Sequence, residues 1–194
     1  MPDPLSGMSD EELIAEAQND NEAAFAILVG RYKDPLTNFV FRYVGDREDS
    51  NDIVQETFVR AYRSRTSYKP VARFSTWIYT IATNLAKSSL RRKRLRGILT
   101  FSRAKVEQDP LFDLPDENAR ADVLTDAAIR HERIQKALNS LPSTYRAIVV
   151  LRDIQELSYE EIAAITGLPM GTVKSRINRG RARLQNMLKD LWSE

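Results

Sequence analysis

The chain's 194 residues, 42% of them hydrophobic, suffice for one domain or two small ones with an ordinary core. With no cysteine and a single His131, there is no disulfide framework, no thiolate nucleophile and no histidine-built metal site to expect. No apolar run approaches the ~18 residues that span a bilayer. The opening MPDPLSGMSDEEL lacks the basic-then-apolar order of a secretion signal, so the cytoplasm is the expected compartment, with no direct membrane insertion. Met8 can serve as an alternative start, residues 1–7 then being an extension.

Only 7 Gly and 8 Pro punctuate the chain, and strand-like alternation is scarce, so the expected fold class is all-α. Ser9 with Glu12 fits a capping box, and Asp20 can cap a second helix running to about Val44. The polar stretch GDREDSND from Gly45 reads as a turn, followed by a helix from about Asn51 to Ser64. The segment RTSYKPVARF reads as a loop. Ser75 can cap a long helix from Thr76 to about Arg94. Residues 98–126 hold two Pro, seven acids and three bases without a sustained period and read as a linker. Helices then resume at about 126–139, 143–153, 159–166 and 170–191. The expected organisation is a helical domain at 9–97, an acidic linker at 98–126 and a second helical domain at 127–194.

The net charge of +2 conceals segregation. Residues 10–22 carry six acids and no base. Residues 84–96 carry Lys87, Arg91, Arg92, Lys93, Arg94 and Arg96 with no acid, and residues 170–189 carry Lys174, Arg176, Arg179, Arg181, Arg183 and Lys189 with no acid. Two separate basic stretches suggest two contacts with a polyanion.

The last of these stretches explains itself best. Ser158 with Glu161 forms a capping box, Ile162 and Ile165 share a face, and Gly167 falls where a left-handed residue ends a helix. Pro169 begins another helix, whose apolar face is Val173, Ile177 and Leu184. Two helices across a short glycine turn make a helix-turn-helix. The second would present Lys174, Ser175, Asn178, Arg179 and Arg181, side chains able to donate to guanine, pair with adenine or reach phosphate in a major groove. The bland alternative is a solvated basic face.

In FSTWIYTIATNLAKSSLRRKRLR the core stripe is Ile78, Ile81, Ala82 and Leu85. Thr80, Thr83, Asn84, Lys87, Arg91 and Arg94 lie opposite, neutral early and basic late. With Tyr68, Phe74, Trp77 and Tyr79 nearby, that mixture suits single-stranded nucleic acid. Phe74 and Trp77 are more often core residues, and the basic run has a lesser alternative as a helix end favoured by the macrodipole. In DIVQETFVRAYRS, Ile53, Val54 and Phe58 form a buried stripe; the face of Asp52, Gln55, Glu56 and Arg60 either meets a protein or meets water.

Taken together, DIVQETFVRAYR, FSTWIYTIATNLAKSSLRR and LSYEEIAAITGLPMGTVKSRINRGRARL resemble, in order and spacing, the small two-domain extracytoplasmic-function (group IV) sigma factors of bacterial RNA polymerase. The resemblance implies roles for the matching positions. Asp52, Gln55 and Glu56 would dock the clamp of the polymerase's largest subunit. The loop before Phe74, with Tyr68, Trp77, Asn84 and Lys87, would open and capture the −10 element. Arg91, Arg92 and Arg94 would hold backbone phosphate. Lys174, Ser175, Asn178, Arg179 and Arg181 would read the −35 element, with Arg152 and Thr172 on phosphate. It also implies transcription initiation under stress, promoter DNA and core polymerase as partners, an anti-sigma factor that could hold the chain at the membrane, and neither catalytic residue nor cofactor.

Geometry adds an expectation. Two promoter elements about two helical turns apart lie roughly 70 Å from each other. A 29-residue linker reaches at most ~100 Å extended but spans only ~30 Å as a free coil. The free chain can therefore collapse its domains together, a form an inhibitor could clamp. A two-domain helix-turn-helix regulator that is no polymerase subunit remains the rival; as a receiver-type sensor it would need strands that the first half does not show. Carboxylate pairs such as Glu160 with Glu161 are better explained by capping than by catalysis.

Overall fold

The structure, a computed structural model, describes residues 5–104 and 126–189. All regular structure among them is helical: α1 (Asp10–Gln18), α2 (Glu22–Val44), α3 (Arg47–Arg63), a 3₁₀ turn at Arg65–Ser67, α4 (Phe74–Ala104), α5 (Asp126–Ser140), α6 (Ser143–Asp153), α7 (Tyr159–Thr166) and α8 (Met170–Met187).

The boundaries follow from local chemistry. Ser9 caps α1, its hydroxyl accepting from the Glu12 N–H while the Glu12 carboxylate accepts from the Ser9 N–H at 2.7 Å. The cap of α2 is Asn21, which accepts from the Ala24 N–H at 3.3 Å, and not Asp20. Asp20 takes a left-handed backbone (φ 64°), and its carboxylate meets Arg65. The polar stretch after Gly45 is also mostly helix. The turn takes only Gly45 (φ 85°) and Asp46, whose carboxylate accepts from the Asp49 N–H at 3.0 Å and starts α3 at Arg47. α4 begins at Phe74, placing Ser75 inside its first turn, and continues to Ala104, so residues 98–104 of the expected linker are helical. Residues 105–125 and the expected helix end at Leu191 lie outside the described residues.

α1–α4 pack around Leu13, Leu28, Leu36, Phe39, Phe74 and Ile78, and α6–α8 around Ile148, Leu151, Ile162, Val173 and Ile177, all essentially without solvent exposure. These two groups belong to one continuous core. α5 and α6 pack on α2, and α7 packs on α4. At the first junction the last turn of α2 has carbonyls without helical partners. Gln135 donates weakly toward Phe41 O and Arg42 O at 3.5 and 3.4 Å and accepts from the Arg42 guanidinium at 3.2 Å. Arg146, 9% exposed, donates through Nη1 to Tyr43 O at 3.0 Å and through Nη2 to Leu141 O at 3.0 Å and Asn139 O at 2.5 Å. Its Nε is buried without a partner among the described residues, and burial pulls its pKa below the ordinary arginine value. At the second junction the Tyr79 hydroxyl donates to Gln155 Oε1 at 2.5 Å, and Arg73 meets Glu161 at 3.4 Å.

Candidate nucleic-acid interface

The turn between α7 and α8 is built by short-range chemistry. Ser158 accepts from the Glu161 N–H at 3.1 Å, and the Glu161 carboxylate accepts from the Ser158 N–H at 2.8 Å. Gly167 then ends α7 at φ 68°. Pro169 precedes α8, whose Val173, Ile177 and Gly180 face inward. At Gly180 a Cβ would lie 2.5 Å from Val149 Cγ2, so α6 and α8 touch at van der Waals distance only because the side chain is absent. The outward face of α8 then carries Lys174, Asn178 and Arg179 into solvent, with Thr172 and Ser175 half-buried beside them. Ser175 donates its hydroxyl to Thr172 O at 3.0 Å.

Two residues expected on this face are otherwise engaged. Arg181 forms a bidentate pair with Asp153, its Nε donating at 3.0 and 3.2 Å and its Nη2 also bonded. Arg152 donates to Leu157 O at 2.8 Å and lies over the Tyr159 ring, 4.9 Å from its centroid, bracing the turn before α7. In this conformation both side chains brace the α6–α8 unit. The Lys174 ammonium approaches the same Tyr159 ring at 6.0 Å.

On α4, Asn84, Lys87, Arg91, Arg92 and Arg94 are exposed along one helix. Lys93, within the same run, turns away to Asp49 at 2.5 Å and Asp46 at 3.3 Å. The aromatic expectations need correction. Phe74 has no solvent exposure and lies edge-on to Tyr32 and Tyr68; Tyr68 is 7% exposed, and its hydroxyl donates to Ala72 O at 2.8 Å. Burial of such large rings is worth a few kcal/mol each, which holds both in the core of this structure. Trp77 is half-buried against both. What the loop does expose is Lys69 to Arg73, with Val71 92% exposed. Nothing in the sequence pattern marks Arg63, which is exposed on α3. With Arg60, Ser64, Ile81 and Asn84 it lines an open hollow between α3 and α4, a cationic rim beside an amide that only the packing of the two helices brings together.

On α3, Asp52 and Gln55 are exposed and Glu56 is half-buried, paired with Arg60 at 2.7 Å, all turned away from buried Ile53, Val54 and Thr57. Val59, 41% exposed, adds an apolar contact to that outward surface.

This chain therefore has two helical units, each with an exposed basic face, and comparison with known proteins shows the same pair. Residues 28–96 match the family described as Sigma-70 region 2, and residues 131–184 match Sigma-70, region 4. The chain is 36% identical over 180 residues to the extracytoplasmic-function RNA polymerase sigma factor SigW of Bacillus subtilis, covering 92% of this chain and 96% of that protein. Among solved structures, CnrH in complex with the cytosolic domain of CnrY aligns with a TM-score of 0.70 at 27% identity over 93% of this chain and 97% of the other. The sigma factor RpoE of Bartonella quintana, in complex with the anti-sigma factor NepR, aligns with a TM-score of 0.65 at 28% identity over 85% and 96%. With both regions present in order and the likeness running along nearly the whole length, the chain belongs to the extracytoplasmic-function sigma factors of RNA polymerase.

Proposed function

We propose the following division of labour within this sigma factor. The outward face of α3, with Asp52, Gln55, Glu56 and exposed Val59, docks on the clamp of the polymerase's largest subunit. The loop tip Lys69–Arg73, with Asn84 and Lys87 of α4, captures the opened strand of the −10 element, while Arg63 and the Arg91, Arg92, Arg94 run hold its phosphates. Lys174, Asn178 and Arg179, flanked by Thr172 and Ser175, read the −35 duplex in the major groove. Unstacking a base costs a few kcal/mol, which the duplex contacts and the polymerase offset. The polymerase performs the chemistry.

The observation that carries this reading is that α4 and α8 each keep an exposed basic face although the two halves are packed together. The packed arrangement is the resting form. Promoter elements roughly 70 Å apart require the halves to separate. The 21 residues between Ala104 and Asp126 reach at most about 75 Å when fully extended, so polymerase must hold that segment taut. In the cytoplasm an anti-sigma factor clamps the packed form, as the anti-sigma factor NepR is bound to the sigma factor RpoE in the related complex.

The decisive experiment adds the purified protein to core polymerase and maps transcript 5′ ends across genomic DNA. Starts should cluster downstream of one pair of sequence elements; absence of any protein-dependent start site refutes the reading. Deleting twelve residues from 105–125 should abolish those starts while leaving polymerase binding intact.

A further inference from the structure

The loop that carries Lys69–Arg73 is not held by the helices it connects alone. Gln18, at the end of α1, donates both amide hydrogens into it, to Arg65 O at 2.8 Å and Tyr68 O at 2.9 Å. The Arg65 side chain returns the contact, donating to Ala17 O at 2.9 Å and Asp20 Oδ1 at 2.5 Å, and is only 16% exposed. At the loop's other end, Glu11 Oε1 accepts from the Phe74 N–H at 3.1 Å. Phe74 is the first residue of α4, and that helix has no acid in its own first turn. Glu11 therefore supplies both the acceptor and the negative charge that the start of α4 lacks. Residues 11 and 18 are two turns apart and lie on one side of α1. α1 is itself fixed to α2 by Asp10, which accepts from Arg31 at 2.7 Å and Tyr32 at 2.5 Å.

We infer that α1 is a brace for the loop, with Glu11 and Gln18 as positioning residues that hold the protruding Lys69–Arg73 tip in one geometry for an unstacked base of the opened strand. The inference rests on the reading of that loop given above. A tip fastened at entry and exit loses little freedom on binding, so it selects among bases instead of moulding to each. The apolar residues Leu13, Ile14 and Ala17 already dock α1 into the core. The polar bonds to the loop are thus separable from α1's contribution to stability.

The test uses holoenzyme assembled from the full chain and a promoter fragment recovered by the 5′-end mapping, with permanganate reactivity of unpaired thymines as the readout. Gln18→Ala and Glu11→Ala should each slow strand opening about tenfold and flatten the preference among the four bases at the captured position, with polymerase affinity and −35 duplex binding unchanged. Gln18→Glu, which keeps the shape but loses the donor, should match Gln18→Ala. Glu11→Gln, which keeps the acceptor oxygen, should stay within about threefold of wild type. Val71→Asp reports on the tip itself. If it slows opening while the Glu11 and Gln18 variants do not, the brace is wrong and the loop reading stands. If Val71→Asp has no effect, the loop reading fails and takes the brace with it. If Gln18→Ala lowers melting temperature, polymerase affinity and opening in parallel, Gln18 is structural only and the inference is overturned.

Discussion

α8 and α4 are the two basic helices of the molecule, and they are packed differently. α8 rests on α6 and α7 by one apolar edge, and its opposite side meets water whether or not the two halves touch. α4 is flanked by α2 and α3 on one side and roofed by α7 on another, with Tyr79 bonded across to Gln155. Both surfaces, that proposed for the duplex and that proposed for the opened strand, are exposed in the packed form, but only α4 also carries the junction between the halves along another of its sides. A change at the junction should therefore reach α4 directly and α8 only through the α6–α8 unit.

The largest effect that would test this contrast lies at the junction. Arg146→Ala removes a buried cation serving Tyr43, Asn139 and Leu141 carbonyls. It should cost about 2–4 kcal/mol in urea unfolding, and a loss below ~0.5 kcal/mol would show that the junction contributes little. Next comes the reading face. Arg179→Ala should weaken −35 duplex binding by about 1–3 kcal/mol and relax one base position. Arg181→Ala, whose side chain is already paired with Asp153, should change it by under ~1 kcal/mol; equal losses at the two positions would erase the distinction drawn between them. A smaller effect is expected for Gln155→Ala, which deletes only the bond from Tyr79. It should cost the packed form about 1 kcal/mol and show as a larger radius of gyration in solution scattering, with −35 affinity unchanged.

The smallest test concerns pH. Asp46 is held below its ordinary pKa of 3.8, first by the Asp49 N–H and then, against the opposing effect of burial, by Lys93. A depressed carboxylate contributes stability that is present above its unfolded pKa and lost as pH falls through the lower folded value. The melting temperature should therefore decline between about pH 5 and about pH 3, and Asp46→Asn should reduce that slope.

Much of this was readable in the sequence where the determining contacts are local. Ser9 with Glu12, Ser158 with Glu161, and Gly167 are each decided within four residues, and the helices they delimit fall where expected. Asp20 and Asn21 are both good caps on paper; the pull of Arg65 on Asp20 from 45 residues away separates them. Lys174, Asn178 and Arg179 were placed correctly on the surface because leaving a charge or amide unpartnered inside is costly. Tyr68 and Phe74 were not, because an aromatic ring suits a core and a base stack equally well, and only the neighbouring Tyr32 and Trp77 decide. Arg146 gave no sign of its burial, since its partners lie beyond its own helix and one is 103 residues distant.

The manner in which α2 ends has a consequence for biosynthesis. The Gly45 N–H closes on Phe41 O at 2.8 Å, but Tyr43 O is satisfied by Arg146, 103 positions further along the chain. A ribosome adding about 5–20 residues per second delivers that arginine on the order of 5–20 s after the tyrosine. For that interval the Tyr43 carbonyl is left to water, and the N-terminal half completes this helix end only when the trailing segment emerges.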